Sequence, residues 1–240
     1  MEQFIFEMDD RARDSKGDDL ITIAGDEHFH LSRVLRAREG DRILATDGHG
    51  VTCLCFVQRI GKDSSTCKVM EEYRDLNLSR RRFCVAMSVL KPVSKLEFAI
   101  EKCTELGAAD FLLFNSERSG KAVIRLERMA GIARSAVKQS LQSRIPGLTF
   151  VEGLEEVVSQ SHPYEEKFVL HEQSADMIDK FLPPMKEDTS VIALIGPEGG
   201  FSREEVGFLA GRGFKIVSVG RSRLRSETAA IKIASLLGVY

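Results

Sequence analysis

Two stretches decide the fold of this chain: Val191-Ile-Ala-Leu-Ile195 runs into Gly196-Pro-Glu-Gly-Gly-Phe-Ser202, and Ile216-Val-Ser-Val-Gly220 runs into Arg221-Ser-Arg-Leu-Arg-Ser-Glu-Thr-Ala-Ala230. Each begins with a short apolar run rich in β-branched residues, which is typical of a strand buried on both faces of a parallel sheet. Ligands of such sheets bind just beyond the carboxyl ends of the strands. The sequence therefore predicts a ligand site in these two loops.

The first loop offers glycine backbone to a ligand rather than a fixed cation. It lacks the Lys-Ser/Thr pair of a P-loop and the Gly-x-Gly-x-x-Gly spacing of a dinucleotide-binding turn. Gly196, Gly199 and Gly200 let the main chain approach a ligand closely, and Pro197 stiffens the turn. A planar, uncharged group such as adenine suits such a loop. The alternative interpretation is an ordinary strand-to-helix turn, because Ser202 begins a Ser-x-x-Glu capping box.

The two loops together, in this order, resemble those of the SPOUT class of S-adenosylmethionine-dependent RNA methyltransferases. Within that class the chain resembles the RsmE family, which methylates N3 of a uridine in small-subunit ribosomal RNA. The motifs that carry the resemblance are Leu194–Ser202, Gly220–Ala230, Lys102–Gly107, Ser116–Ser119 and His30–Arg36. The resemblance spans nearly the whole chain.

The resemblance implies an α/β fold with a SPOUT-type parallel sheet and a C-terminal trefoil knot, plus a small N-terminal PUA-like β-barrel that grips RNA. We expect the barrel in residues 1–74 and the methyltransferase domain in residues 75–240. The residues agree in outline, because closely spaced strand-like runs precede Tyr73 and alternating strands and helices follow Phe83. Knots are rare exceptions, so this feature rests wholly on the resemblance.

Residue patterns locate most of the elements. The predicted strands are Asp19–Ala24, Arg42–Thr46, Val51–Ile60, Ser65–Glu71, Phe83–Leu90, Phe111–Phe114, Phe168–Leu170, Val191–Ile195 and Ile216–Gly220. The predicted helices are Glu27–Ala37, a helix that begins at a Ser94/Glu97 capping box and ends at Gly107, Val123–Leu141 and Ala229–Leu237.

The resemblance also implies a bent S-adenosylmethionine enclosed by three loops, which follow Phe168–Leu170, Val191–Ile195 and Ile216–Gly220. The predicted cofactor-binding residues are Leu170, His171, Leu194, Ile195, Gly196, Pro197, Glu198, Gly199, Gly200, Val219, Gly220, Leu224, Arg225, Thr228 and Ala229.

The chemistry of uracil N3 suggests which side chains act. N3 carries a proton on the Watson–Crick edge, so the target base must be unpaired or flipped out and must lose that proton. A cation near the base stabilises the developing anion, and a carboxylate relays the proton. Arg225 and Glu227 are the leading catalytic candidates, with Glu198 next. The alternative role for Glu227 is to place negative charge at the N-terminus of the last helix.

RNA affinity must come from local clusters, because the formal net charge is only −2. Arginines cluster at 33–38, 80–82 and 221–225. The predicted RNA-binding residues are His30, Arg33, Arg36, Arg118, Gln139, Arg144 and Arg223. Two features depart from the family: Lys138-Gln-Ser-Leu-Gln-Ser-Arg144 replaces a Glu-Gln-Ser-Gly-Arg run, and the chain has no tryptophan.

Composition indicates a globular enzyme of the cytoplasm. The 240 residues, 43% of them hydrophobic, suffice for one large domain or two small ones, and no apolar run is long enough for a membrane span. Five cysteines without a Cys-x-x-Cys pair predict neither disulfides nor zinc, and we expect no metal. The expected partners are 16S ribosomal RNA or the small ribosomal subunit, and a second copy of the chain packed along Ala229–Val239.

Two rival functions remain at this stage. A different SPOUT enzyme, acting on another base or on a ribose 2′-hydroxyl of ribosomal or transfer RNA, would share the cofactor loops but not the matches at 30–36 and 116–119. A non-catalytic RNA-binding protein would be expected to have lost the loop residues. Neither fits the motifs as well as the RsmE family.

Overall fold

The computed structural model describes residues 1–120, 123–182 and 184–238. The chain forms two compact units. The first comprises residues 1–78 and 137–145, and the second comprises the described residues of 79–136 and 146–240. The first junction lies close to the predicted boundary between residues 74 and 75. The return of 137–145 to the first unit has no signal in the sequence, because it depends on contacts between residues far apart in the chain.

The first unit is built on one mixed sheet. Its elements are β1 (Gln3–Ile5), β2 (Arg11–Arg13), β3 (Asp19–Ala24), α1 (Gly25–Phe29), β4 (Arg42–Thr46), β5 (Val51–Ile60) and β6 (Ser64–Arg74). The strands pair in the order β1-β4-β5-β6-β3-β2, with β1 parallel to β4 and the other pairs antiparallel. Two register shifts between β5 and β6 increase the local twist and bending of the sheet.

The core of this unit follows the two-residue period of its strands. Ile21 and Ile23 of β3, and Cys53, Cys55 and Val57 of β5, all point to the same buried cluster. Cys53 and Cys55 therefore share one face of β5 and pack in the core. Barrel closure stays a prediction, because the pairing order begins at β1 and ends at β2.

The predicted helix Glu27–Ala37 is shorter in the structure. After α1 the chain makes one π-helical turn over His30–Val34. Arg36 then adopts a left-handed backbone conformation with φ 54°, which ends the helical path. This change in conformation leaves Arg33 and Arg36 on the exposed side of the turn.

The second unit is built on a parallel sheet with helices on both faces. Its elements are β7 (Phe83–Ser88), α2 (Val93–Glu105), β8 (Asp110–Phe114), α3 (Leu126–Ser140, whose last residues belong to the first unit), β9 (Gly147–Val151), α4 (Leu154–Gln160), β10 (Glu166–Leu170), β11 (Val191–Ile195), α5 (Arg203–Ala210), β12 (Lys215–Val217) and α6 (Ser226–Leu237). The strands pair in the order β12-β10-β11-β7-β8-β9, and every pair is parallel. The predicted parallel α/β sheet is confirmed.

Strand β11 shows why its sequence is continuously apolar. Val191 and Ala193 belong to a core cluster that includes residues of α2, α3 and α6, whereas Ile192 and Leu194 belong to a cluster that includes residues of α4 and α5. Alternate side chains therefore enter different layers, and both faces of the strand are buried. None of the helices in the described part of the chain has the length and hydrophobicity that a bilayer crossing needs.

The predicted caps have different outcomes. The Ser202/Glu205 box is confirmed, because each side chain bonds the backbone of the other residue at the start of α5. The Ser94/Glu97 box is wrong, because α2 begins at Val93 and its N-cap is Pro92, two residues before Ser94. Glu97 instead forms an ion pair with Arg128 of α3.

All five cysteines are free and buried. Burial raises the pKa of the Cys53 thiol to about 11 and that of Cys67 to about 12. These thiols are therefore protonated at neutral pH and pack as small apolar groups. His28 is likewise structural: it bonds the Ser65 hydroxyl at 2.9 Å and the Lys62 carbonyl at 3.2 Å. Among the described residues, no cluster of three or more His, Cys, Asp or Glu side chains suits a metal ion.

Candidate functional site

A cavity of about 640 Å³ lies at the carboxyl edge of the parallel sheet, and we call it the sheet-edge cavity. Its walls include the loops that follow β10, β11 and β12, which are neighbours in the sheet. Lys95 of α2, which follows β7, and Arg118, which follows β8, complete the wall. The segments that follow five of the six parallel strands thus line one site. This is the position that the open α/β topology favours for a ligand.

Most of the predicted cofactor-binding residues line this cavity. They are Leu170, His171, Ile195, Gly196, Pro197, Glu198, Gly199, Gly200, Val219, Gly220, Leu224, Arg225 and Ala229. Leu194 does not, because it is fully buried on the opposite side of β11. Thr228 lies at a neighbouring cavity. Sequence reasoning did not assign Lys95, Glu172, Gln173, Phe201, Arg203, Ser218, Ser222 and Ser226 to this wall.

The glycine loop needs glycine at two positions for different reasons. Gly200 has φ +67°, a left-handed conformation that disfavours other residues. A Cβ on Gly196 would lie 3.1 Å from the Phe201 ring, which is tighter than normal packing. Gly199 is different, because a Cβ there would meet only the Arg118 side chain at an ordinary 3.5 Å.

Phe201 anchors the glycine loop to the sheet. Its ring is 4% exposed and lies parallel to the ring of Phe114 in β8, with 6.3 Å between centroids and 2° between planes. Offset stacking of this kind adds to the free energy of burial. The glycine loop, which borders the cavity, is therefore anchored by Phe201, a residue of the loop whose ring packs in the core.

The Ser116–Ser119 motif also holds the glycine loop in place through hydrogen bonds. Arg118 donates a hydrogen bond from its guanidinium to the Gly199 carbonyl at 3.0 Å. The Glu117 amide donates to the Glu205 carboxylate at 2.8 Å. The motif therefore supports the glycine loop, and this contact was not visible in the sequence because the two segments are about 80 residues apart.

The loop after β10 and the loop after β12 are bonded to each other. The Ser218 amide donates to the Asp176 carbonyl at 2.8 Å, and the Ser174 hydroxyl donates to the Ile216 carbonyl at 2.8 Å. An exposed ion pair joins Arg223 to Glu172, with 3.0 Å between nitrogen and oxygen. These contacts hold the two loops as one wall of the cavity.

The three predicted catalytic residues have different environments. Glu198 accepts hydrogen bonds from the Lys95 ammonium at 3.1 Å and from the Lys91 amide at 3.2 Å. Arg225 is exposed and forms no ion pair with any described residue. It is also the N-cap residue of α6. Glu227 is buried in the first turn of α6, and its Oε2 atom has no hydrogen-bond partner among the described residues.

A second cavity of about 540 Å³ adjoins the first, and we call it the α2–α6 cavity. Its lining residues are Ser94, Lys95 and Phe98 of α2, with Arg223, Leu224, Arg225, Glu227 and Thr228 at the start of α6. Lys95, Arg223, Leu224 and Arg225 line both cavities. The two cavities therefore share a wall, and Glu227 belongs to the second cavity.

The predicted RNA-binding residues are divided between the two units. His30, Arg33, Arg36, Gln139 and Arg144 lie in the first unit, and Arg118 and Arg223 lie at the sheet-edge cavity of the second. The His30 ring packs 6.0 Å from Phe4, while Arg33, Arg36 and Gln139 are exposed.

Two other basic features of the sequence, Arg144 and the run at 80–82, form ion pairs within the protein. Arg144 forms an ion pair with Asp75 at 2.9 Å. In the basic run at 80–82, Arg80 pairs with Glu187, Arg82 pairs with Asp110, and Arg81 is buried. That run is therefore held largely by contacts within the second unit.

Comparison with known families places this fold and site in a class. A family model described as an RNA methyltransferase domain matches residues 77–238, and one described as an RNA methyltransferase PUA domain matches residues 23–70. The chain belongs to the RNA methyltransferase family.

Individual relatives agree with the resemblance to the RsmE family and confirm it. The ribosomal RNA small subunit methyltransferase E of Bacillus subtilis is 29% identical over 231 residues, which cover 90% of this chain and 89% of the relative. The solved structure of a probable rRNA-methyltransferase from Porphyromonas gingivalis is 29% identical, with TM-score 0.81 over 98% of this chain and 95% of that one.

A further solved structure shares the fold. It is the ribosomal RNA small subunit methyltransferase E from Neisseria gonorrhoeae, bound to S-adenosyl methionine. It is 22% identical, with TM-score 0.84 over 98% of this chain and 95% of that one.

The anchoring role of Phe201 predicts a stability change. We expect Phe201→Ala to lower the free energy of unfolding by about 3–5 kcal/mol, because the substitution removes a buried ring and leaves a cavity beside Phe114. Urea unfolding followed by circular dichroism measures this difference. Phe98→Ala is the matched control: that ring is 47% exposed, and we expect a loss below about 1 kcal/mol. Equal losses for the two variants would contradict the anchoring role.

Proposed function

We propose that this chain uses S-adenosylmethionine to methylate N3 of a specific uridine in small-subunit (16S) ribosomal RNA. The observation that carries the proposal is the sheet-edge cavity, since it brings together the three loops that the resemblance assigns to the cofactor. The family of the chain and the names of its relatives support ribosomal RNA as the substrate. The N3 position follows from the RsmE resemblance. We place this activity in the cytoplasm, where ribosomal RNA is modified.

The cavity fits a cofactor of this size and chemistry. Its volume of about 640 Å³ lies within the range of roughly 300–1,000 Å³ that is usual for small-molecule sites. The main chain of Gly196–Gly200 and of Gly220–Arg225 provides amides and carbonyls for adenine, and Leu170 and Leu224 provide apolar walls. Leu194 supports β11 from the core, and Thr228 faces the adjoining cavity. Bound there, the cofactor supplies an activated methyl group on a sulfonium sulfur.

The residues around the transfer point have separate roles in the proposal. Arg225 stabilises the negative charge that develops on the base, because it is a free cation on the wall that the two cavities share. Glu227 accepts the proton. Glu198 acts less directly, since it is already bonded to Lys95 and so positions that ammonium group.

RNA contacts are proposed on both units. In the first unit, which contains the PUA match, His30, Arg33, Arg36, Gln139 and Arg144 contact the RNA. In the second, Arg223 contacts phosphate near the site, and its exposed ion pair with Glu172 is weak enough to exchange. Arg118 reaches the same region but also holds the glycine loop.

Three architectural features complete the proposal. The domains are a PUA-like β-barrel over 1–74 and a SPOUT domain over 75–240. In the SPOUT domain, the last segments form a trefoil knot, as the resemblance implies. The chain forms a homodimer along residues 229–239, of which Val239 lies outside the described residues. Ala229, Ile231 and Leu236 support this surface, because these apolar side chains of α6 are only partly buried in the core.

The proposed reaction is tested by mapping the methylated nucleoside. Small ribosomal subunits from a strain that lacks this protein, incubated with the enzyme and cofactor, should gain one methyl group on uracil N3, as mass spectrometry of nuclease digests would show. Arg225→Ala should reduce the single-turnover rate at saturating RNA and cofactor by about ten-fold or more, because the cation acts mainly in the transition state. A methyl group on a ribose or on another base would overturn the proposed reaction.

Gly199 provides the test of the cofactor site. Gly199→Val places a side chain on the cavity wall without backbone strain, so folding should survive while cofactor affinity falls about ten-fold or more. Isothermal calorimetry with S-adenosylmethionine measures the affinity. Gly207→Ala, in α5 and away from the cavity, is the control and should bind as the wild type does. Wild-type affinity in Gly199→Val would argue against this placement of the cofactor.

The first unit should contribute RNA affinity without affecting the cofactor. Replacing Arg33 and Arg36 by alanine should weaken RNA binding and reduce its dependence on salt concentration, because fewer counterions are released on association. Filter binding at several salt concentrations gives the slope. Replacing Arg59 and Lys62, two other exposed cations of this unit, removes the same charge and serves as the control. An unchanged slope for the first pair, or equal changes for both pairs, would refute this assignment.

A further inference from the structure

We propose that the α2–α6 cavity is the subsite for the target uracil, in which Phe98 stacks on the base and Glu227 accepts the N3–H group. The inference rests on the proposed function, because it requires a uridine that has left its base stack. It adds the groups that hold the base and that distinguish uracil from cytosine. Three independent observations support it.

The first observation is the exposure of Phe98. Its neighbours in α2, Leu96 and Ile100, are fully buried, whereas the Phe98 ring is 47% exposed. Among the exposed large apolar side chains in the described part of the chain, only Phe98 lines either cavity. Unpaired bases stack on aromatic rings in RNA-binding proteins. The position of this ring therefore suits a flipped base.

The second observation is the unsatisfied carboxylate of Glu227. The side chain is only 8% exposed, and its Oε2 atom is buried without a hydrogen-bond partner among the described residues. Buried polar atoms are nearly always bonded, so this carboxylate lacks the partners that its burial requires among the described residues. Of the residues with such an atom in the described chain, only Glu227 lines either of the two cavities. An ionised carboxylate accepts and cannot donate, which matches an N–H group of a ligand.

The third observation is the cations beside this carboxylate. Lys95 and Arg225 line the same cavity, and their side chains can only donate hydrogen bonds. The Watson–Crick edge of uracil presents two carbonyl oxygens on either side of N3–H. Two donors and one acceptor in the same cavity match the groups of that edge. Cytosine presents an unprotonated N3 and an amino group, so its N3 lone pair would face the carboxylate and binding would be disfavoured.

The shared wall connects this subsite to the transfer step. Leu224 and Arg225 line both cavities, so a base in one lies beside a cofactor in the other. As the bond between N3 and the methyl carbon forms, the bond between that carbon and sulfur breaks. The N3 proton passes to Glu227, and the released thioether is uncharged. Glu227 later returns the proton to solvent.

The Phe98 variants test the stacking role in the full-length protein with small ribosomal subunits that lack the modification. Phe98→Ala should reduce the single-turnover rate at saturating RNA and cofactor by about five- to a hundred-fold. Phe98→Tyr, which keeps the ring, should retain most of the rate, whereas Phe98→Leu, which keeps only apolar volume, should not. Calorimetric affinity for S-adenosylmethionine should be unchanged in all three, because Phe98 does not line the sheet-edge cavity.

The Glu227→Gln variant tests proton acceptance. The amide keeps the shape of the side chain but takes no proton, so the rate should fall at neutral pH and recover more steeply than that of the wild type as pH rises, when solvent removes more of the N3 proton. A residue that serves only the helix would show no such recovery. Glu204→Gln is the matched control, because Glu204 occupies the same second position of α5 but is exposed. It should retain the wild-type rate and pH profile.

The outcomes separate this inference from the proposed function. If the wild-type protein puts no methyl group on uracil N3 of the small subunit, the proposed function fails. If it does so, but Phe98→Ala keeps the wild-type rate or Glu227→Gln keeps the wild-type pH profile, the assignment of the base subsite is wrong. Loss of rate in Phe98→Ala and Phe98→Leu but not Phe98→Tyr, together with alkaline recovery of Glu227→Gln, supports it.

Discussion

Parallel pairing of every strand in the second unit is the constraint on which the site depends. Because parallel strands end at the same edge, segments distant in sequence arrive together without a long binding loop. The covering helices bury both faces of the sheet, which fixes the strand ends and therefore the loops. Phe201, stacked on Phe114, transmits this rigidity from the core to the glycine loop. The cavity wall is thus an extension of the packed interior.

The charged residues of the site fall into two groups: those that are bonded to another described residue and those that are not. Glu198 and Arg223 are engaged in ion pairs that orient their neighbours, and Arg118 holds a main-chain carbonyl. Arg225 has no ion pair among the described residues, and the Glu227 Oε2 atom has no hydrogen bond. A buried carboxylate without a hydrogen-bond partner, such as that of Glu227, indicates a ligand more strongly than an exposed charge does, because buried polar atoms are nearly always bonded. This contrast is the reason for assigning the chemistry to Arg225 and Glu227.

The proposed reaction requires recognition of a cofactor in one cavity and of a base in the other, and the two cavities share a wall. The sheet-edge cavity is bordered by the glycine loop and suits a cofactor in the proposal, whereas the α2–α6 cavity contains Phe98 and Glu227 and suits a base. In the proposal, exposed arginines of the first unit contact the phosphate backbone, which carries little sequence information. Selection of one uridine then depends on the shape of the RNA that reaches the second cavity.

The sequence by itself determined the parallel sheet, the loops at its edge and most of the element types, but it did not predict β1, β2, β9 or α4. Strands β3, β4, β5 and β11 were located to the residue, because period-two and continuously apolar patterns are local signals. It could not determine that 137–145 returns to the first unit, that Pro92 rather than Ser94 caps α2, or that Arg118 holds Gly199. Nor could it place Phe98 opposite the start of α6 or leave the Glu227 oxygen without a partner. These features depend on contacts between distant segments, and only the tertiary structure decides them.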